Sequence, residues 1–361
     1  MTEVLHIVNR WRDGGVERFV KGVVDGCTRD GMGHSALSVC TDINEDIGCP
    51  TYGPLCDGQG MASMAAGGRR LQGFLGKKRF DVVHIHTNNS SGFMYAKAAE
   101  RAGVPLRIVH SHNSSLGPGN RLVKDAAQGV FRVLCAGSEN VRLACSEAAG
   151  EHLFPGMDFK VVPNGVDIER FRFDSTARTE IRSSLGIGEN RFLVGCVGSM
   201  IEAKNHMRAL SIFTELKREE PSALLLILGD GELRGTLKAE AAHLGISGSV
   251  FMPGFVDDTH RWYSAMDALL FPSLYEGLPI ALVEAQCDGL PVVCSDTVTE
   301  EVALLGSFRR LPLSAPDPEW ASALLSAERD VTGAAAEIVR AKGFDRKDTA
   351  RMLLGIYGGE L

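Results

Sequence analysis

Short apolar runs alternate along the chain with longer stretches whose apolar residues recur at helical spacing. In the first half the runs fall at 4–8, 35–40, 82–85, 107–110 and 143–145 and end on Val161-Val162, while a helix opens at Gly14-Gly15 and continues to about residue 30. Compact apolar runs of this kind mark strands buried on both faces, as in parallel sheets. Pro163-Asn164-Gly165 is a turn cluster and reads as a linker. Beyond it the grammar restarts, with strands at 192–197, 223–228, 250–252, 268–271 and 292–293 and helices at 205–219, 231–244 and 280–287. Strands separated by helices predict an α/β protein with two doubly wound parallel sheets. One continuous helix over about 334–357 is longer than a closing connection needs, so it is expected to cross back to the first half. The expected domains are 1–165, rejoined by the C-terminal helix at about 340–361, and 166–340. Two such sheets facing each other make a cleft at their carboxyl edges, where ligands of open α/β sheets bind.

Length supports two domains, because 361 residues exceed what a single core normally serves. A hydrophobic content of 44% with 23% charged residues is that of a soluble globular protein, and no apolar run reaches the roughly 18 residues of a membrane span. MTEVLHIVNRW runs straight into a strand and has no basic region followed by a long apolar stretch, so secretion is not expected. Nine scattered cysteines without a CxxC pair read as reduced thiols of a cytoplasmic protein. Residues 1–165 carry 18 Lys and Arg against 16 Asp and Glu, and the remainder 20 against 29, giving +2 and −9. Neither half is basic enough for nucleic acid, and the mildly basic first half suits an anionic partner.

Candidate chemistry concentrates in SLYEGLPIALVEAQCDGLP (273–291), where Glu276 and Glu284 flank a Gly-Leu-Pro turn between a strand and a helix. Glu276 falls at the strand's carboxyl end. Gly277 permits close backbone approach, and Pro279 suits the first helical turn because its missing N–H would be unpaired there. The following amides and the helix dipole form a seat for phosphate. Glu284 lies deeper in the helix and would repel the same phosphate, so a pair of sugar hydroxyls suits it better.

Other features admit two readings each. Gly14-Gly15 offers backbone donors at a helix start or is a plain structural turn, since GxGxxG is absent. Lys204, near a strand end, can neutralise a diphosphate leaving group or be a solvated lysine. GDGELRG (229–235) has the wrong spacing for a dinucleotide loop and reads as a strand-to-helix loop lining the cleft. His84, His86, His110 and His112 alternate on two strands, which allows metal ligation, but no Asp-x-Asp motif accompanies them and hydrogen-bonding roles are preferred. The stretches 69–80 and 121–134 mix Lys and Arg with apolar residues at helical spacing. They are either core-facing helices with solvated basic faces or segments that adsorb to an anionic membrane.

Taken in order, GGVER (14–18), DVVHIH (81–86), HSHN (110–113), CSE (145–147), PNGVD (163–167), VGSMIEAKN (197–205), LGDGELR (228–234) and SLYEGLPIALVEAQCDGLPVV (273–293) resemble glycosyltransferase family 4 over nearly the whole chain. HSHN with SLYEGLPIALVEAQ looks most like the exopolysaccharide and capsule enzymes of that family. The resemblance implies a GT-B fold, with two Rossmann-like domains facing across a cleft, the first binding acceptor and the second the nucleotide-sugar donor. It implies retaining transfer, commonly from a UDP-sugar. Position by position, His112, Glu276 and Lys204 are the catalytic candidates: His112 contacts the transferred sugar, Glu276 holds the donor sugar with Gly277, Leu278, Pro279 and Ile280, and Lys204 pairs with the diphosphate. Glu284 takes the ribose, Gly14 and Gly15 approach the diphosphate, and Phe255 meets the base. Many members of the family carry Arg where Ser199 stands, and that Arg shares the diphosphate charge.

The expected activity is therefore transfer of a hexose from a UDP-sugar to a growing polysaccharide or lipid-linked oligosaccharide, without metal or cofactor, in the cytoplasm at the inner face of the membrane. Two rivals remain. A UDP-sugar 2-epimerase would need acid and base carboxylates flanking the sugar and would act without acceptor. A non-catalytic nucleotide-sugar-binding protein is compatible with Ser199. A dehydrogenase is disfavoured by the lack of GxGxxG after Val8.

Overall fold

The computed structural model describes residues 1–11, 14–27, 31–56, 61–113, 129, 135 and 137–360, with backbone alone for 61–65. The chain divides into one unit of Met1–Gly165 with Arg346–Leu361, and a second of Val166–Asp345. In the first unit seven parallel strands run in the order β3 (Thr51–Tyr52), β2 (Gly33–Ser38), β1 (Glu3–Val8), β4 (Val82–Thr87), β5 (Leu106–Ser111), β6 (Val141–Ala144), β7 (Lys160–Val161). In the second, six parallel strands run β10 (Val250–Gly254), β9 (Leu224–Leu228), β8 (Leu193–Val197), β11 (Ala268–Phe271), β12 (Val292–Ser295), β13 (Phe308–Leu311). Each sheet is doubly wound, and its order reverses once, between β1 and β4 and between β8 and β11. Loops leaving adjacent strands at a reversal diverge to opposite faces and open a crevice at the carboxyl ends.

The central strands are buried on both faces because helices cover both. In the second unit Val194, Leu225, Ile227 and Leu270 pack against Leu210, Phe213 and Leu216 of the helix His206–Glu219 and against Trp320. In the first, Leu5, Ile7, Val83 and Ile85 face a separate cluster with Leu71, Phe93 and Phe154.

The expected continuous helix at 334–357 is two helices, Ala334–Ala341 and Arg346–Tyr357. Gly343 adopts left-handed backbone, φ +85°, and closes the first helix. Its N–H donates to the Arg340 carbonyl at 2.9 Å and that of Phe344 to the Val339 carbonyl at 3.3 Å. The second helix places Ala350, Leu353, Ile356 and Tyr357 against Phe19, Val23 and Cys27 of the helix Gly15–Cys27.

The basic stretch at 69–80 takes the core-facing form: Leu71, Leu75 and Phe80 are buried, while Arg69, Arg70, Lys77, Lys78 and Arg79 are exposed. Apart from Gly129, the stretch at 121–134 lies outside the described residues. Among the described residues no helix is long and apolar enough to cross a membrane. The nine cysteines are free thiols, with Cys40 and Cys56 sulfurs meeting at 3.3 Å.

The first unit carries an unusual polar layer in its interior. His6 on β1, His34 on β2, His84 and His86 on β4, and His110 with His112 at the end of β5 are all buried. Sheet register brings them together, with His6 opposite His84 and His86 opposite His110. Phe19 covers His86, His110 and His112 edge-on at ring distances of 5.1–5.6 Å, and Tyr357 hydrogen-bonds His84 at 2.7 Å. Two trios, His6–His84–His86 and His86–His110–His112, hold ligand atoms within 4.8 Å of one another. Their nitrogens meet one another at hydrogen-bonding distance, 3.0–3.1 Å, so proximity by itself does not imply a metal.

Burial, and then the neighbouring histidines, hold His6, His84, His86 and His110 well below the usual imidazole range. Burial lowers His34 to about 4 and His112 to about 3, with the Asn164 side chain opposing at His112. The rings are thus neutral in the folded protein, whereas the unfolded chain takes up protons near pH 6.5. Stability is complete above that value and falls as pH drops toward the folded pKa values, by about 1.4 kcal/mol per pH unit for each ring. The urea midpoint of the first unit is expected to fall steeply from pH 7 to pH 5, before carboxylates titrate. A midpoint flat across that interval contradicts the neutral cluster.

Candidate active site

Two loops of the second unit carry most of the candidate side chains, and both leave the sheet where its order reverses. One follows β8 through Gly198, Ser199 and the short turn Glu202–Lys204 into the helix His206–Glu219. The other follows β11 through 272–279 into the helix Ile280–Cys287. Their backbones are stapled together. The Leu274 N–H donates to the Ala203 carbonyl at 2.8 Å. Asn205, in left-handed backbone at φ 53°, donates from its side-chain amide to the Pro272 carbonyl at 3.1 Å. Behind them the Ser295 and Thr297 hydroxyls donate to the Ser273 carbonyl at 2.6 and 2.8 Å.

Across this staple Lys204 Nζ donates to Glu276 Oε1 at 2.7 Å. The two side chains are only 20% and 12% exposed, so water screens the pair less than a surface salt bridge. The ammonium also lies 4.8 Å from the centroid of the Phe271 ring. An ammonium has three donors and this pair uses one, so its capacity toward a further anion is not exhausted. His206, next along, is lowered to about 4 by burial and then by Lys204, and adds no competing charge.

The helix Ile280–Cys287 begins at Pro279, which is the N-cap rather than part of the first turn. Its ring fixes φ at −74° while ψ of 93° is extended, and no side chain caps the helix. The uncapped amides face an end that favours negative charge. Leu278 is buried and Ile280 half-buried, so the Gly277–Ile280 backbone is held by packing. Glu284 is buried and accepts a hydrogen bond from the Tyr263 hydroxyl at 3.0 Å. Tyr263, from the helix Thr259–Ala265, is a site residue that sequence reading missed, because nothing marks a tyrosine 21 positions upstream as the carboxylate's partner.

Two further loops complete this edge. Gly229 follows β9 with φ +130°, and a Cβ there would lie 2.2 Å from the Gly198 carbonyl oxygen. Only glycine lets this loop cross the one bearing Ser199, where Met200 N–H meets the Asp230 carbonyl at 2.9 Å. Phe255 follows β10 and is 51% exposed, a flat ring that core packing leaves open. Ser199 is exposed. Arg208 pairs with Asp317 at 2.6 Å, and Arg234 donates to the Met252 carbonyl at 2.6 Å.

In the first unit Gly14 and Gly15 open the helix Gly15–Cys27 after β1, with Gly15 exposed. The Gly14 N–H donates to the Glu17 carboxylate at 3.1 Å, so the chain's own acid caps this helix start. His112 directly follows β5, and its N–H donates to the Thr87 carbonyl at 3.0 Å.

Two doubly wound parallel sheets, the second with a lysine–glutamate pair, an uncapped helix start and a buried acid near the point where its order reverses, define the architecture of the GT-B class. The family described as Glycosyltransferase Family 4 matches residues 13–170, and the one described as Glycosyl transferases group 1 matches residues 177–304. The chain is 36% identical over 287 residues to the putative glycosyltransferase EpsF of Bacillus subtilis, spanning 77% of this chain and 74% of that one. It is 29% identical over 238 residues to the UDP-Gal:alpha-D-GlcNAc-diphosphoundecaprenol alpha-1,3-galactosyltransferase of Escherichia coli, covering 63% and 60% of the two chains. Anabaena HepE, crystallised with UDP and glucose, has the same fold with a TM-score of 0.80 at 17% identity, over 99% of this chain and 100% of that one. WaaG, a glycosyltransferase involved in lipopolysaccharide biosynthesis, matches with a TM-score of 0.78 at 18% identity over 99% and 100%. The chain belongs to glycosyltransferase family 4 and is a glycosyltransferase of glycan biosynthesis.

Tyr263→Phe is expected to leave Glu284 buried with one donor fewer and to cost about 1–3 kcal/mol. Urea denaturation of the variant measures this, and an unchanged midpoint contradicts a structural hold of Tyr263 on Glu284.

Proposed function

We propose that the protein transfers a hexose from a UDP-sugar, with retention of anomeric configuration, to a polysaccharide or lipid-linked oligosaccharide in exopolysaccharide biosynthesis. The observation that carries this reading is the Lys204–Glu276 pair beside the uncapped start of the helix Ile280–Cys287. The lysine and the helix amides meet the diphosphate, stabilising the charge that develops as the sugar–phosphate bond breaks. Glu276 and the Gly277–Ile280 backbone hold the sugar, Glu284 the ribose, and Phe255 the base. Support for UDP comes from HepE, which binds UDP and glucose, and from the Escherichia coli enzyme, which is named for UDP-galactose and a diphosphoundecaprenol acceptor.

Glu276 is ion-paired and Glu284 is held by Tyr263, so neither is presented as a nucleophile. The proposed path is attack on the face from which the diphosphate leaves. The bond from the anomeric carbon to the β-phosphate oxygen breaks, the acceptor oxygen bonds that carbon, and the acceptor's proton passes to the departing phosphate oxygen. By the family resemblance His112 contacts the transferred sugar.

Lys204→Ala, Glu276→Ala and His112→Ala are each expected to lower UDP release by 100-fold or more, about 2.7 kcal/mol of barrier. Product NMR should show the donor's anomeric configuration. Full turnover in all three variants, or an inverted product, overturns the reading. Turnover should also survive EDTA, since Lys204 and the helix amides take the place of a metal; loss on chelation with recovery on adding a divalent ion contradicts this.

Association with the inner membrane face belongs to the same proposal. Arg69, Arg70, Lys77, Lys78 and Arg79 are exposed while the apolar side of their segment is buried, so attraction would be electrostatic and without insertion. Cosedimentation with phosphatidylglycerol vesicles should be lost at about 0.5 M salt, where the Debye length is only a few ångströms. Binding that survives such salt contradicts a purely electrostatic contact.

A further inference from the structure

The histidine layer does more than fill the core. Four of its rings meet head to tail: His112 Nε2 with His86 Nδ1 at 3.0 Å, His86 Nε2 with His6 Nδ1 at 3.1 Å, and His6 Nε2 with His34 Nδ1 at 3.1 Å. The chain crosses the sheet diagonally. His34 is the second residue of β2, at the amino-terminal edge, and His112 follows the last residue of β5, at the carboxyl-terminal edge.

Counting protons fixes the state of this chain. A neutral imidazole carries one N–H, and each nitrogen–nitrogen contact needs one hydrogen and only one. If His112 carries its proton on Nδ1, contact with His86 requires His86 Nδ1–H, and the requirement passes through His6 to His34. If His112 carries it on Nε2, all four must be Nε2–H. No mixed pattern satisfies all three contacts, so the tautomers of His112 and His34 are locked together across the sheet.

The ends decide between the two patterns. His112 Nδ1 and His34 Nε2 are buried without a hydrogen-bond partner among the described residues. Asn164, whose side chain lies against His112, has a buried and likewise unpartnered Oδ1. With Nδ1 protonated, the Asn164 side chain, whose interaction raises the His112 pKa against burial, can turn its free oxygen to the N–H, and His34 is left with a bare acceptor. With Nε2 protonated, His34 is left with a buried N–H and no acceptor for it among the described residues, the rarer and costlier defect. The branch Tyr357 hydroxyl–His84 Nδ1 (2.7 Å) and His84 Nε2–His110 Nδ1 (3.1 Å) ends on a buried, unpartnered His110 Nε2 and resolves the same way.

We propose that His34, His6 and His86 are positioning residues that lock His112 as the Nδ1–H tautomer, so that His112 presents a fixed N–H donor, and never a basic nitrogen, at the carboxyl edge of the first sheet. His112 Nε2 is occupied by His86, so a ligand can engage the ring only at the buried Nδ1, by taking the place of the Asn164 oxygen. It recognises an acceptor oxygen, such as a sugar hydroxyl, and cannot act as general base. The identity of that ligand rests on the donor-sugar reading; the tautomer does not.

The test is long-range proton–nitrogen NMR on full-length protein carrying 15N-histidine, at pH 7.5, with single His→Gln variants to assign the rings. The expected spectrum shows His112, His86, His6 and His34 all neutral and all Nδ1–H, the minority form of free histidine. Asn164→Ala removes the acceptor at one end, and is expected to admit the other pattern in equal proportion at all four rings, including His34, three rings away. Adding UDP-glucose, UDP-galactose or UDP-N-acetylglucosamine should move the His112 Nδ1–H signal in at least one case while UDP alone leaves it in place.

A wild-type His112 that is Nε2–H, charged or metal-bound overturns the lock. So does an Asn164→Ala protein whose four rings change in unequal proportion; if that variant does not fold, the wild-type spectrum still decides. An Nδ1–H signal that no UDP-sugar moves overturns the ligand-facing role and leaves the lock standing. Failure of the glycosyltransferase reading would appear separately, as no UDP release from any donor by the wild-type enzyme.

Discussion

A half-buried ion pair at a topological reversal is the constraint on which the second unit's site depends. Lys204 and Glu276 come from loops far apart in sequence but on adjacent strands, β8 and β11, between which the sheet order turns back. Neither charge is well solvated, so each stabilises the other. The backbone staple from Leu274 to Ala203 and from Asn205 to Pro272 keeps them in register. Preorganisation of this kind matters for a leaving group whose negative charge rises only in the transition state, because donors already in place need no reorganisation.

Both acids of the site are held by the protein's own groups, and each hold says something about its use. Glu276 is neutralised by a lysine whose ammonium has donors beyond the one it gives the carboxylate. Glu284 is anchored by a tyrosine hydroxyl in a buried setting, which orients its oxygens toward fixed directions. The first unit shows the contrasting strategy. Its buried histidines are neutral rings whose hydrogen bonds run mainly to one another, and its helix start at Gly14 is already capped by Glu17.

Much of this was legible in the chain. Parallel strands buried on both faces leave compact apolar runs, and SLYEGLP marked the loop between a strand and a helix start, which the structure places at Ala268–Phe271 and Ile280–Cys287. What escaped were relations that only register creates. His84, His86, His110 and His112 stood out as alternating pairs, but His6 and His34 are isolated in sequence and join the layer through β1 and β2 pairing. Tyr263 gives no sequence sign of its link to Glu284. The long final helix was misread because helical spacing persists on both sides of Gly343, whose left-handed backbone ends the first segment. At 69–80 the apolar spacing was visible, but which side faced the core was decided by packing.

A crystal structure with UDP bound tests the central claim most directly. The account places the diphosphate against Lys204 Nζ and the amides at the start of the helix Ile280–Cys287, with the ribose hydroxyls on Glu284. Nucleotide density elsewhere, with Lys204 and Glu276 still paired to each other alone and Glu284 untouched, would contradict it.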